Sequence, residues 1–293
     1  MSTAPVVAAP VPGLHRGIDF DTYWSWDAVN STILKGFAGK TPAHVRYELD
    51  HGGKEPTPAL DLGWLTHLAV LEPDRFEAGI TVAPKIDKRT NVGKASWAQF
   101  QAENVGKALV DPDDYRKVLA MRAALLAHPT AGEFLRSKGA TEVSLLWEDR
   151  ENGLLEKARI DKVGSIGEYP IIGELKTARD ASRHAFEGAI YKYGYGISAA
   201  HYLAGLEALV PVPAGNPFRR LVFLVVETEP PHCVALYELD EATLAQAEQE
   251  RQRYLRTWRL CVERGDWPAY GNGIELASYP SWVFRSWSSE SGD

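Results

Sequence analysis

Two apolar segments interrupted by charge constrain this chain most: Ala158–Arg159–Ile160–Asp161, then Ile171–Ile172–Gly173–Glu174–Leu175–Lys176–Thr177. Both read as β-strands. Successive side chains of a strand alternate faces, so Glu174 and Lys176 project together while Leu175 points the other way. Between the segments, Gly164–Ser165–Ile166–Gly167–Glu168–Tyr169–Pro170 holds turn residues enough to reverse the chain. A hairpin of that length brings Asp161 beside Glu174. Two carboxylates and an ammonium on strands otherwise built from Ile, Leu and Val are costly unless paired or bound to a metal. Hard divalent cations prefer carboxylate, carbonyl and water oxygens, and a neighbouring Lys offsets phosphate charge and orients a metal-bound water. The constellation is phosphodiesterase-like. The Glu–x–Lys triplet alone reads equally as a same-side ion pair at a sheet edge, worth about 0–1 kcal/mol when exposed. Asp161 is what favours a site.

The rest of the chain alternates helical and strand patterns. Tyr23–Phe37 reads as a helix, with Asn30–Ser31 able to cap its second part. Asp61–Val70 is helical by its apolar spacing, after the Pro-rich Glu55–Pro58. His67 follows Gly63 by one turn and shares its face, where a lone His is either a ligand or a core residue. Ala83–Gln101, with Lys85, Lys88, Arg89 and Lys94 near Trp97, is a loop running into a helix; it reads as a DNA-facing flap or a solvated loop. Asp111–Ala127 is a helix with Asp113 and Asp114 favourably placed at its N-terminus. Strands are expected at Thr141–Trp147, with Glu142 able to face the site, at Leu155–Val163 and at Ile171–Lys176. Asp180–Ala204 reads as one long helix bent at Gly194 and Gly196. Leu221–Glu227 is so continuously apolar that it should be a central strand. Cys233–Leu239 should pair with it across Pro230–Pro231. Glu241–Glu263 is an amphipathic helix whose Arg251, Arg253, Arg256 and Arg259 form a basic, solvated side. The aromatic tail from Trp267 should pack back on the domain.

Composition narrows the classes. The 293 residues are 45% hydrophobic and 10% aromatic, enough for the core of one large α/β domain. No apolar run approaches the ~18–20 residues of a membrane span. Met1–Pro12 lacks a basic start and reads as a flexible tail rather than a signal peptide. Two cysteines, Cys233 and Cys261, both in apolar segments, are expected as reduced core thiols. They are too few for a four-Cys iron–sulfur cluster or a Cys-rich zinc site. The formal net charge is −7, against the basic character of simple DNA binders. The imbalance is uneven: Lys157–Lys192 carries seven basic residues against five acids, and Glu227–Asp266 nine acids against five bases. A locally basic site on an acidic body suits weak, strongly salt-dependent DNA binding; scattered surface charge is the alternative.

These residues resemble the PD-(D/E)xK nuclease superfamily, with Asp161, Glu174 and Lys176 as its D…ExK core. More narrowly, the chain resembles the exonuclease domain of RecE and its phage-type relatives, kin to the nuclease domains of RecB and AddAB and to lambda exonuclease. Ser31–Thr32–Ile33–Leu34–Lys35 and Thr41–Pro42–Ala43–His44 resemble that group's N-terminal helix and its SPAH element. Gly63–Trp64–Leu65–Thr66–His67, running on to Leu71–Glu72–Pro73, resembles its G–x–x–x–H helix. Thr141–Glu142–Val143–Ser144 with Trp147 resembles the strand before the core hairpin, and Trp282 after Pro280 a terminal P–W element. The likeness spans residues 23–285. Glu174 stands where the group commonly has Asp, and Ser198, four residues before Tyr202, stands where RecB-type members carry Gln. The shorter Ser weakens a DNA contact there more than it does the chemistry.

The resemblance implies a restriction-endonuclease-like α/β core, a central mixed β-sheet flanked by helices, in one domain over residues 18–287 between tails at 1–17 and 288–293. It implies a cytoplasmic, Mg²⁺- or Mn²⁺-dependent exonuclease on linear double-stranded DNA ends, in phage-type recombination or end processing. Asp161, Glu174 and Lys176 would be catalytic. His67, Glu142, Asp161, Glu174 and the Leu175 carbonyl would hold the metal, and Arg159, Thr177, Arg179, Ser198 and Tyr202 would touch DNA. A single-strand annealing protein and a homo-oligomeric ring are the partners implied, with no membrane. The alternatives are a catalytically inactive member binding DNA or a protein, and a site-specific endonuclease. A small-molecule α/β enzyme is disfavoured, since no Gly-rich phosphate loop, Gly–x–Ser–x–Gly or zinc motif occurs.

Overall fold

Leu221–Glu227 is buried along nearly its whole length in the computed structural model, an inner strand of the main sheet next to its last strand. The structure describes residues 10–52, 58–210 and 220–279. The expectations for Glu55–Thr57, Trp282, the first nine residues and the tail from 288 lie outside the described residues.

The N-terminal part begins with β1 (Gly13–His15), followed by α1 (Phe20–Ser25), α2 (Ser31–Gly36) and α3 (Pro42–His51). The helix predicted over Tyr23–Phe37 is therefore two. Asp19 caps α1 by accepting from Thr22 N, and Asn30 caps α2 by accepting from Ile33 N. Between them, Val29 bonds to the sheet: its N–H donates to Leu155 O at 2.9 Å and its carbonyl accepts from Lys157 N at 2.7 Å. A backbone that pairs with a strand cannot also continue a helix. Residues 13–15, expected in the tail, pair with the sheet edge.

Next come α4 (Pro58–Leu71), α5 (Pro73–Gly79), β2 (Ile80–Val82), α6 (Asn91–Glu103), β3 (Ala108–Val110), α7 (Pro112–Ala127) and α8 (Pro129–Arg136). The strands β2 and β3 form a separate parallel pair. Three long antiparallel strands follow: β4 (Ala140–Glu148), β5 (Leu155–Ile166) and β6 (Tyr169–Ala178). The hairpin expected between β5 and β6 is present, its turn reduced to Gly167–Glu168. Then α9 (Arg183–Tyr193) and α10 (Tyr195–Leu209) replace the single helix expected over 180–204. Gly194 separates them at φ 64, in the left-handed region that ends helices. The chain closes with β7 (Leu221–Glu227), β8 (Val234–Tyr237) and α11 (Glu241–Arg264).

The main sheet runs β1-β4-β5-β6-β7-β8, antiparallel except where β6 lies parallel to β7. Helices cover both faces. Ile171, Leu175, Val222, Leu224 and Val226 pack against α4, α5, α7 and α8. Val143, Leu145, Ala158, Ile160, Phe223 and Val225 pack against α9 and α10. This is the mixed, helix-flanked sheet expected, with β7 apolar because both its faces are covered. Of the tail, Trp267 packs edge-on against Trp258 at 5.2 Å and Pro268 O accepts from Ala43 N, whereas Ile274 and Leu276 are fully exposed. Cys261 is buried, but Cys233, expected in the core, is exposed at the mouth of the β7–β8 hairpin; both are free thiols. Among the described residues no helix is long and apolar enough to cross a membrane.

Candidate metal centre

The centre lies where the β4–β5–β6 ladder loses its regularity. Ala140 and Val143 pack into the same layer although they are three residues apart, and so do Ile160 and Val163. A period of two forbids this unless each strand turns over once in between. On β4 the turnover falls at Glu142, at φ 52. A non-glycine residue there costs of order 1–3 kcal/mol and clusters at functional sites. On β5 it falls at Asp161–Lys162. Thr141 pairs with Lys162 and Val143 with Ile160, so Glu142 and Asp161 face each other across the break. The β5–β6 ladder starts at Lys162–Gly173, leaving Asp161 and Glu174 just beyond its last pair. Asp161 Oδ2 replaces the missing strand partner by accepting from Leu175 N at 2.7 Å.

Into this opening α4 delivers His67. Gly63, one turn earlier, packs against β6, where a Cβ would lie 3.4 Å from Thr177 Oγ1. His67 Nε2 donates to Leu175 O at 2.9 Å, and Nδ1 stands 3.6 Å from Asp161 Oδ2. One ligand atom each from His67, Glu142 and Asp161 lie within 4.8 Å of one another. Arg159 fixes Glu142, donating from Nε at 2.5 Å, and is itself held by Ile18 O and Ser144 Oγ. Beside the group, Lys176 Nζ donates to Glu174 Oε2 at 2.6 Å, while Glu174 Oε1 is buried without a hydrogen-bond partner.

The electrostatics are those of a site short of positive charge. Burial pushes Asp161 up to about 7, against the pull of Lys176. Glu174 is raised by burial and by Asp161. Burial pulls Lys176 down, but Glu174 and Asp161 outweigh it and hold the ammonium above its ordinary range. Burial, then Lys176, lowers His67, favouring the neutral ring. With Nε2–H given to Leu175 O, a neutral His67 turns its Nδ1 lone pair toward the Asp161 carboxylate. Two acceptors so placed call for a cation between them. Ligands about 2.1 Å from one small hard ion lie about 3.0–3.6 Å apart at right or somewhat wider angles. Two converging carboxylates, one imidazole nitrogen and an orphaned buried carboxylate oxygen fit a divalent ion.

Of the residues expected to touch DNA, Arg179 is exposed at the end of β6 and Thr177 is half-buried against α4. Arg159 has its guanidinium committed to Glu142 and its neighbours, with little exposed surface. Ser198 is buried inside α10. Tyr202 is partly buried within reach of Ser31; burial and the charges of Glu174 and Asp161 raise its phenol. Sequence reasoning missed Tyr195, whose ring centroid lies 5.5 Å from Lys176 Nζ, and missed Lys35 as a neighbour of Lys176 and Glu174. The signal available for Lys35 was its position one helical turn beyond Ser31.

Comparison with solved structures gives the fold. A crystal structure of a "putative exonuclease" from Eubacterium rectale aligns over 93% of this chain and 99% of its own, at 13% identity and a TM-score of 0.56. A second structure, SSO0001, aligns over 76% of this chain and 84% of its own at 19% identity, with a TM-score of 0.26 that carries no argument. No curated protein matches the sequence. The family model of a PDDEXK-like domain of unknown function (DUF3799) matches residues 30–279, spanning the β-hairpin with Asp161, Glu174 and Lys176. This chain belongs to that PDDEXK-like family.

Proposed function

We propose that this protein is a metal-dependent nuclease that hydrolyses phosphodiester bonds of DNA, acting as an exonuclease on linear duplex ends. The observation that carries the reading is the convergence of His67, Glu142 and Asp161 within 4.8 Å beside the Glu174–Lys176 pair. His67, Glu142 and Asp161 would hold Mg²⁺ or Mn²⁺, with Glu174 Oε1 beside them; the Leu175 carbonyl, expected among the ligands, is instead taken by His67 Nε2–H, on the side of the ring away from Nδ1. Such an ion acidifies bound water and stabilises charge on the attacking and leaving oxygens. Lys176 orients the attacking water and neutralises the crowded phosphate. Glu174 holds that ammonium in place through Oε2 and keeps Oε1 for the ion. Arg159 sets the Glu142 carboxylate and shields it from DNA phosphates. Arg179 and Thr177, at the open end of β6, are the strand contacts this geometry favours.

Preference for duplex ends, a part in phage-type recombination, an annealing-protein partner, a ring assembly and a cytoplasmic location rest on the likeness to RecE-type exonucleases. The test is a gel of linear and covalently closed circular duplex incubated with Mg²⁺, with Mn²⁺ and with chelator. Metal-dependent loss of the linear form alone is expected. Equal cutting of closed circles makes the enzyme an endonuclease, and full activity in Asp161→Ala or Lys176→Ala ends the assignment.

A further inference from the structure

The helix α2 presents one polar stripe, Ser31 and Lys35, toward the metal centre. Ser31 and Lys35 lie one turn apart on α2 and so share a face. Ser31 is within reach of the Tyr202 hydroxyl on α10, and Tyr202 feels the charges of Glu174 and Asp161. Lys35 crosses the junction between α9 and α10. A Cβ added to Gly194 would lie 2.8 Å from Lys35 Cγ and 2.9 Å from Cδ, so the stem rests on the bare glycine backbone. The next residue, Tyr195, is the ring that Lys176 Nζ overlies at 5.5 Å. The Lys35 chain therefore runs across Gly194 into the corner occupied by Lys176.

Lys35 is half-buried, and among the described residues its ammonium has no hydrogen bond or ion pair; the charges it feels are those of Lys176 and Glu174. Burial and the repulsion of Lys176 lower it to about 8, which leaves it charged at neutral pH. An unpaired ammonium in a half-buried corner is costly. Glu174 favours the Lys35 charge only from a distance: one of its oxygens is bonded to Lys176 and the other has no hydrogen-bond partner. Two ammonium groups that repel each other across a corner open to solvent suit a shared anion. In a nuclease the anion available is the phosphate backbone.

We propose that Lys35 is a phosphate-binding residue, gripping the DNA backbone beside the phosphate that Lys176 neutralises. The inference rests on the nuclease reading and deepens it: α2 becomes part of the substrate channel, and Gly194 is the position that lets the lysine reach it. A Cβ at 194 would displace the stem as well as strain a left-handed backbone. Lys35 acts through binding, so its removal should weaken the grip on DNA while sparing the chemical step.

The experiment compares the parent with Lys35→Met, which keeps a stem of similar length over Gly194, with Lys35→Gln as a second uncharged variant and Lys35→Arg as the charge-retaining control. Steady-state cleavage of a linear duplex is followed with Mg²⁺ over a salt series. In Lys35→Met, KM should rise about tenfold, the loss of one charge-assisted hydrogen bond. Its kcat should stay within about threefold. The slope of log(kcat/KM) against log[salt] should become shallower by about 0.9, the counterion release of one phosphate contact. Lys35→Arg should keep the parent slope. Should Lys35→Met not fold, Lys35→Gln carries the same expectations. A parent that cleaves DNA, together with a folded uncharged variant of unchanged KM and salt slope, overturns this inference alone and leaves Lys35 a packing residue. A parent inert on duplex with every divalent ion overturns the nuclease reading and this inference with it.

Discussion

His67 Nδ1 faces Asp161 Oδ2 at 3.6 Å while Nε2 of the same ring donates to Leu175 O. Once Asp161 is ionised, above about pH 7, a neutral imidazole so tied sets a lone pair against a carboxylate, which burial makes unfavourable until a cation arrives. Divalent cation should therefore stabilise the folded protein well beyond its ionic strength. At a concentration 100 times its Kd, a ligand of the native state contributes about 2.7 kcal/mol, which for a chain of this size raises Tm by about 4–5 °C. Thermal unfolding with Mg²⁺, Mn²⁺ and chelator measures it, with equal ionic strength in each arm. Asp161→Asn should flatten the response, and a cation shift retained in that variant would place the ion elsewhere.

The direction of the Asp161 shift fixes a pH dependence. Burial raises the Asp161 carboxyl in the folded chain to about 7, well above the ordinary range of an aspartate. From pH 4 to 7 the ion-free native state therefore holds a proton that the unfolded chain has released. Stability from this group is greatest below about pH 4 and falls as pH rises through 7. The same proton competes with a cation, so metal affinity should weaken about tenfold for each pH unit below 7. Isothermal titration with Mn²⁺ at pH 5.5, 6.5 and 7.5 checks the trend. Affinity independent of pH across that range would take Asp161 out of the ligand set.

Lys176 bonds Glu174 and stands over Tyr195, so its removal leaves a buried carboxylate already raised by burial and by Asp161. Glu174 then takes a proton rather than remain an unpaired charge. Lys176→Met should fold, as judged by circular dichroism. It should lose about 10²–10³ in kcat, the range for removing one charge-stabilising donor. The loss should appear in kcat rather than KM.

How much of this was legible beforehand depended on how local the determining contacts are. The β5–β6 hairpin is local, and Asp161, Glu174 and Lys176 were readable because a short reversal with period-two alternation places them together. The strand β7 was readable because continuous apolarity has one meaning in a sheet covered on both sides. The break between α1 and α2 was not, since it depends on Val29 pairing with β5 more than a hundred residues later. Gly194 was read as a bend rather than an end because a left-handed residue is a property of the backbone that glycine permits but does not announce. Glu142 was expected near the site from its strand, but nothing in the residue type foretold a turnover at φ 52.

Arg251 is the instructive failure and supplies a prediction of its own. The sequence placed it on a solvated basic face with Arg253, Arg256 and Arg259, yet its side chain is 2% exposed. It shares the buried stripe of Ala247, Tyr254 and Leu255, spaced i, i+4, i+7 and i+8 from residue 247, so the periodicity did carry the signal. The partners could not be read. Glu156, itself fully buried, accepts from Arg251 Nη1 at 2.8 and 3.1 Å, Glu248 accepts from Nε at 2.8 Å, and Asp149 lies 3.6 Å from Nη2. Burial works against this guanidinium, but Glu248 and Glu156 outweigh it and hold it above its ordinary range. The same Glu156 approaches His201 Nδ1 at 3.2 Å, tying α11 through β5 to α10. Truncating one member of such a group leaves a buried charge uncompensated. Arg251→Ala should lose about 3–5 kcal/mol in urea unfolding, whereas the exposed Arg256→Ala should stay within about 0.5 kcal/mol. The metal-induced rise in Tm should survive in whatever fraction of Arg251→Ala still folds, because the network shares no residue with the His67–Glu142–Asp161 group. Equal losses for the two arginines would show that the carboxylates around Arg251 are solvated, and that α11 is held by its apolar stripe alone.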